Sequence, residues 1–215
     1  MKAAIINAYG GSEQLVVAEQ AIPHIQQDEV LVENMATSIN PIDYKARQGL
    51  MQGMFQWQFP VTLGWDIAGR IVAVGQDVTN FKVGDAVFAR PDIDPTGRNG
   101  SYAEYTVVKA DKLAFKPENI TFNQAAAVPL AALTALQMLE KLQVKAGHKV
   151  LIQAGAGGVG IYAIQIAKLM GTYVATTASQ ANHDFVASLG ADQVIDYHAY
   201  QIQDVLSDYD AVFDM

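Results

Sequence analysis

Cysteine is absent from the chain, which removes disulfides, thiolate zinc sites and cysteine nucleophiles together. Basic residues are also scarce: 14 Lys and Arg stand against 22 Asp and Glu, for a formal net charge of -8. A polyanionic partner requires a clustered basic surface, and no Lys or Arg run occurs, so no nucleic-acid partner is expected. There is no stretch of about 18 uninterrupted apolar residues to span a bilayer. The opening MKAAIINAYGG lacks the apolar core of a signal peptide. No membrane partner is therefore expected, and the expected location is cytoplasmic. Within 215 residues, 51% are hydrophobic and 17% charged, the balance of a globular protein that buries a sizeable core.

The most informative segment is KVLIQAGAGGVG, Lys149 to Gly160. Val150, Leu151 and Ile152 suit a strand buried on both faces. Gly155, Gly157 and Gly160 follow at the G-x-G-x-x-G spacing, with Ala154, Ala156, Gly158 and Val159 completing the turn. At that spacing the first glycine permits a tight turn, the second lets backbone approach a pyrophosphate, and the third lets the next helix pack against the strand. Ile161, Ile164, Ala167, Lys168 and Met170 continue as that helix, whose free N–H groups would face the phosphates. The alternative is a glycine-rich turn that only permits close packing.

Two regimes divide the chain. Residues 1–122 read as short strands: Lys2 to Asn7, Leu15 to Ala18, Glu29 to Ala36, Ala68 to Val74, Ala86 to Ala89, Ala103 to Val108 and Lys112 to Phe115. Their shortness and Gly, Pro and Asp punctuation suggest an antiparallel barrel or sandwich-like domain. Residues 123–215 form the second domain, although the helical pattern itself starts at Thr121, runs to Leu142 and breaks near Pro129. Strands at Lys149 to Gln153, Tyr173 to Thr177, Gln193 to Asp196 and Ala211 to Asp214 then alternate with helices at Val159 to Met170, Asn182 to Leu189 and Tyr200 to Ser207. Such alternation implies a parallel sheet with right-handed crossovers. The expected fold class is α/β, with a Rossmann doubly wound sheet that is expected to be truncated, since only its first half and fourth strand are in the sequence.

Together LGWDIAGRIVAVG (Leu63 to Gly75), FKVGDAV (Phe81 to Val87), GSYAEY (Gly100 to Tyr105), VPLAALTA (Val128 to Ala135) and the glycine turn resemble the medium-chain dehydrogenase/reductase superfamily. The resemblance implies a GroES-like small-stranded β domain before the dinucleotide fold. Where zinc enzymes of that superfamily carry histidine and glutamate, this chain has Trp65 and Asp66 after Gly64, and the structural-zinc region is the cysteine-free Arg90 to Gly100. His24, His148, His183 and His198 show no ligand spacing and read as surface or edge histidines. No metal is expected. Without a Lewis acid, an activated acceptor is the natural substrate.

NPIDYKAR, Asn40 to Arg47, resembles the signature of the zinc-independent quinone oxidoreductase and enone reductase group. The resemblance implies that Asn40 and Asp43 hold the nicotinamide-ribose end, with Asp43 keeping Lys45 charged and oriented. Lys45 would bind ribose or stabilise the enolate, and Tyr44 is a second donor. Read alone, the segment is equally a capped helical turn with Pro41 at its first position and Lys45 and Arg47 solvated. Thr134 matches the position that approaches the nicotinamide carboxamide, against a helix threonine bonding back to its own turn. Met51, Met54, Phe55, Trp57 and Trp65 are candidates for a substrate cleft or for ordinary packing.

An NAD-preferring site carries an acidic residue about 20 residues beyond the glycines. Here TTASQANHD offers Ala178 and Ser179, so the expected cofactor is NADPH, with Ser179, Asn182 and Tyr197 at the 2′-phosphate. The expected function is NADPH-dependent, zinc-independent reduction of quinones or α,β-unsaturated carbonyls. The alternative is a non-enzymatic NADPH-binding or structural protein. A homodimer is possible for a full-length protein of this kind.

Overall fold

The computed structural model describes residues 1–93, 97 and 99–214, and the chain separates into two units, Met1–Leu130 and Ala131–Met215. Part of the cysteine-free stretch Arg90 to Gly100, residues 94–96 and 98, lies outside the described residues.

Period-two burial builds the first unit. Strands β1 (Lys2–Ile6), β2 (Leu15–Glu19) and β3 (Glu29–Thr37) precede helix α1 (Pro41–Arg47). β4 (Val61–Thr62), β5 (Ile67–Val74), β6 (Ala86–Ala89), β7 (Tyr105–Lys109) and β8 (Leu113–Phe115) follow. They form two antiparallel sheets, ordered β2-β1-β4 and β7-β3-β5-β6-β8. Val30 and Val32 of β3 are wholly buried and pack with Ile67 and Ile71 of β5 and Val108 of β7, the alternation that a sheet with one buried face requires. A second cluster gathers Ile6, Ala46, Trp57, Val61, Leu63 and Trp65 beneath α1. β4, only two residues long, gave no periodic signal.

The predicted helical run Thr121 to Leu142 is two helices, α2 (Phe122–Ala126) and α3 (Pro129–Lys141). Thr121 and Gln124 cap α2 reciprocally: the Thr121 N–H donates to Gln124 Oε1 (2.8 Å), and the Gln124 N–H donates to Thr121 Oγ1 (3.2 Å). Pro129 starts the next helix because it lacks the N–H that an interior position must donate. Ala125 and Ala126 pack against Ala68 of β5, so the first unit runs to Leu130 rather than to the 122/123 boundary that the sequence predicts.

In the second unit β9 (Lys149–Ile152), α4 (Gly160–Leu169), β10 (Tyr173–Ala178), α5 (His183–Ser188), β11 (Gln193–Asp196), α6 (Ile202–Val205) and β12 (Ala211–Phe213) alternate as expected. The sheet is parallel, ordered β11-β10-β9-β12, which is the 3-2-1-4 start of a doubly wound fold. Val150, Ile152, Ile164, Ala167 and Val174 fill the core between sheet and α4. α6 is shorter than the predicted Tyr200 to Ser207, and Leu206 already returns to extended backbone. None of the described helices is long and apolar enough to cross a membrane.

Candidate active site

Local backbone geometry carries a carboxylate into the first unit's interior. Gly64 sits at φ +103°, and a Cβ there would press on Ser101 Oγ and lie 2.9 Å from the Tyr102 nitrogen, so only glycine fits. Two residues on, Asp66 is completely buried. Ser38 Oγ and Asn40 Nδ2 (2.7 Å) both donate to its Oδ2, and the Leu130 N–H donates to its Oδ1 (2.7 Å). Thr37 Oγ1 donates to the Asp66 carbonyl (2.7 Å) and shares a hydrogen bond with Ser101 Oγ (2.9 Å). Burial pushes the Asp66 carboxyl above the usual carboxylate range, against the opposing pull of its Ser38, Asn40 and Leu130 donors. Asp66, Ser38, Thr37 and Ser101 were not singled out as a unit in the sequence, because their partners lie up to 64 positions away in the chain.

Asn40, the residue before α1, therefore spends its amide on Asp66 and on Ser38 Oγ (3.0 Å). It positions Asp66 rather than presenting a free donor. Asp43 is likewise buried, and the Asn40 N–H donates to its Oδ2 (2.6 Å). Its Oδ1 and the Tyr102 hydroxyl are both buried without a partner in hydrogen-bonding geometry, yet they lie close enough for each to shift the other's titration. Burial raises the Asp43 carboxyl to about 6, partly offset by the Asn40 N–H and Tyr102. The Tyr102 phenol is pushed up, first by burial and then by the Asp43 charge.

The expected partnership of Asp43 with Lys45 is corrected. Lys45 and Tyr44 are on the exposed side of α1 and Asp43 on the buried side, as residues one or two apart on a helix must be. Lys45 makes no ion pair among the described residues. Trp57 and Trp65 are 8% and 1% exposed and lie with their tilted rings 6.1 Å apart within the core, so they pack rather than line a cleft. Met54 is exposed.

A pH prediction follows from Asp43. Its folded value of about 6 exceeds the unfolded 3.8, so its contribution to stability is complete below about pH 3.8 and is lost as pH rises through 6. Asp43→Asn removes that dependence while keeping an acceptor for the Asn40 N–H. Between pH 4 and pH 7 the stability of Asp43→Asn relative to the parent is expected to rise by about 2 kcal/mol in urea unfolding. A difference that does not change with pH would contradict the assignment.

In the second unit, the glycine turn separates packing from binding. A Cβ on Gly155 would overlap Thr176 Oγ1 of β10 and come within 3.0 Å of Ile164 Cδ1, and one on Gly160 would overlap the Ala154 carbonyl oxygen. Gly157 and Gly158 are exposed; a Cβ on Gly158 meets nothing within 4 Å. The N–H groups of Gly158 and Val159 donate to no acceptor among the described residues, just ahead of α4. Open space and free donors before a helix N-terminus fit a dinucleotide pyrophosphate. The sharp turn itself falls on Ala154, at φ +51°, whose N–H donates to Thr177 Oγ1 (2.9 Å). Ala156 completes this turn, and Thr134 lies half-buried on α3.

At the same carboxyl edge of the sheet, Ser179 follows β10 directly and Asn182 Nδ2 donates to its Oγ (3.3 Å). The pairing of Ala178 with Asp196 sets Ser179 beside the exposed Tyr197. Ser179, Asn182 and Tyr197 are thus brought to one edge with the glycine turn. That edge is where doubly wound sheets bind ligands.

Two family descriptions match this chain: an alcohol dehydrogenase GroES-like domain over residues 26–118 and a zinc-binding dehydrogenase over residues 158–215. The quinone oxidoreductase structure from Coxiella burnetii superposes with a TM-score of 0.90 at 40% identity, covering 100% of this chain and 68% of that one. This chain belongs to the medium-chain dehydrogenase/reductase superfamily, in its quinone oxidoreductase group. Within the superfamily it is 41% identical over 220 residues to an NADPH-dependent alkenal/one oxidoreductase of Arabidopsis thaliana chloroplasts, covering 100% of this chain and 57% of that relative. The quinone oxidoreductase of Escherichia coli, solved with NADPH, superposes with a TM-score of 0.82 at 33% identity over 94% of this chain and 60% of that one. The chain thus spans little more than half the length of the curated relatives it matches.

Proposed function

We propose that the protein is an NADPH-dependent, zinc-independent reductase of α,β-unsaturated carbonyls or quinones. The observation that carries the reading is the pair Trp65 and Asp66. Trp65 has no metal-ligating atom, and both carboxylate oxygens of Asp66 already accept hydrogen bonds from Ser38, Asn40 and Leu130. With no cysteine in the chain, and no group of three or more metal-binding side chains among the described residues, the donor set suits hydrogen bonding rather than tetrahedral zinc. The names of the similar proteins support the acceptor class, alkenal/one for one relative and quinone for others.

When bound, NADPH supplies the electron pair that reduces the acceptor. The pyrophosphate would be held by the free Gly158 and Val159 N–H groups and kept close by the bare Gly157 and Gly158. Ser179, Asn182 and Tyr197 would meet the ribose 2′-phosphate, where no carboxylate at the end of β10 opposes it. Lys45 and Tyr44, both on the exposed side of α1, are the donors for a carbonyl oxygen as enolate charge develops. Asn40 and Asp43 position this helix by tying its N-terminus to Asp66. Thr134 is the proposed contact of the nicotinamide carboxamide.

Two outcomes test the reading. NADPH should bind at least about tenfold more tightly than NADH near neutral pH, equivalent to about 1.4 kcal/mol, by fluorescence titration. Equal affinities would refute the preference. Incubation of the enzyme with NADPH and a small enone should yield the saturated ketone, with a 1,4-quinone assayed in parallel. Tight NADPH binding with no product from either acceptor would favour the non-enzymatic alternative.

A further inference from the structure

Turned away from solvent, α1 carries two groups of opposite charge, the buried Asp43 and, one turn later, the half-buried Arg47. Side chains four positions apart share a helix face. Tyr102 packs into the apolar cluster beneath that face, together with Ile42 and Ala46 of the helix. Asp43 Oδ1, Arg47 Nε and the Tyr102 hydroxyl are buried polar atoms with no hydrogen-bond partner among the described residues. They are also neighbours. Burial pushes the Tyr102 phenol up most and Asp43 adds to it, as a charge and as a hydrogen-bond acceptor, while Arg47 opposes both as a positive charge. An acceptor, a donor and a hydroxyl that can play either part are complementary, and buried polar groups are seldom left unmatched. The set closes with the hydroxyl donating to Oδ1 and accepting from the Nε–H.

The surrounding backbone holds the phenol in place for this. The Tyr102 N–H donates to the Leu63 carbonyl (2.8 Å), and its own carbonyl accepts from the Ala4 N–H (2.7 Å). Gly64 supplies the room, since a Cβ there would stand 2.6 Å from Tyr102 Cδ1. Phenylalanine would fill the ring's space equally well, so packing alone does not call for a buried hydroxyl, which costs stability unless it is used.

We infer that Tyr102 is a positioning residue for the reduction: its hydroxyl bridges Asp43 and Arg47 and so fixes the rotation of α1 about its own axis. The inference rests on the reductase reading above. Tyr44 and Lys45 occupy the exposed side of the same helix, so any rotation carries these donors with it. A donor moved by a fraction of an ångström loses its alignment with a developing enolate oxygen. Asp43 is anchored at its other oxygen only by the Asn40 N–H (2.6 Å), at the very start of the helix.

Initial rates with NADPH and a small enone, together with hydrogen exchange of the α1 amides, test this in Tyr102→Phe and Tyr9→Phe. The second variant removes another tyrosine hydroxyl of the same cluster, one that donates to the Phe55 carbonyl instead (3.1 Å). Tyr102→Phe is expected to lower kcat about tenfold, to leave the KM for NADPH within about twofold of the parent, and to speed exchange in α1. Tyr9→Phe should keep the parent kcat even if its unfolding midpoint falls as far. In an Asp43→Ala background Tyr102→Phe should lose most of its effect on kcat, because the hydroxyl acts through that carboxylate. An unchanged kcat in Tyr102→Phe, an equal loss in Tyr9→Phe, or the full loss in the Asp43→Ala background would overturn this role while leaving the reductase reading intact. A parent that binds NADPH but reduces neither an enone nor a quinone would overturn both.

Discussion

Asp66→Ala is expected to lower the stability of the first unit by about 3 kcal/mol, because it strips a buried acceptor from three donors, of which Asn40 is buried and Ser38 and Leu130 are half-buried. Ser38 Oγ, Asn40 Nδ2 and the Leu130 N–H all converge on this side chain, which has no exposed surface. Each donor left unpaired in the interior costs about 1 to 3 kcal/mol. The loss exceeds what the carboxylate itself contributes, since burial already disfavours its charge. Asp66→Asn keeps one acceptor and the volume, and should lose less than half as much. Urea unfolding of the two variants separates the cases: equal losses would mean that charge, not acceptance of these hydrogen bonds, is what the site requires.

Gly155→Ala is expected to destabilise the second unit by about 3 to 4 kcal/mol, whereas Gly158→Ala leaves the unfolding midpoint within experimental error and weakens NADPH binding about tenfold or more. The added methyl of the first variant overlaps Thr176 Oγ1, which is itself fixed by donating to the Ile152 carbonyl (2.7 Å), and presses on Ile164 of α4. Strand spacing in a buried parallel pair does not expand cheaply, so the helix must shift or the hydrogen bond must break. The methyl of Gly158→Ala meets nothing within 4 Å in the protein and occupies the space proposed for the pyrophosphate. Thermal unfolding and nucleotide titration on both variants check the division. Loss of stability in Gly158→Ala, with binding retained, would place its role in packing.

Those two sites also show where the sequence was readable. The spacing of Gly155, Gly157 and Gly160 is a local pattern, and strand, turn and helix follow it within a few residues of the expected bounds. Pro41 announces α1 because a residue without an N–H belongs in a helix's first turn. Asp66 was visible as an acid inside the apolar LGWDIAGRIVAVG, but its partners come from the end of β3, the start of α1 and the start of α3, and no local pattern links them. Ala154 hides the left-handed turn, since alanine carries no signal for positive φ. Helix geometry alone argues against an Asp43 to Lys45 pair, because two positions apart places side chains on different faces. The tryptophans mislead for another reason: an apolar loop reads the same whether it lines a cleft or closes a core, and Trp57 and Trp65 do the latter.

The proposed function is reduction of activated acceptors with NADPH and without metal. The most direct measurement is the initial rate of NADPH oxidation with a small α,β-unsaturated ketone, before and after exhaustive treatment with a zinc chelator. The expected result is turnover that chelation leaves unchanged, consistent with a site in which Trp65 offers no ligand and Asp66 is saturated by Ser38, Asn40 and Leu130. Turnover that disappears with the metal and returns on adding zinc would contradict the claim.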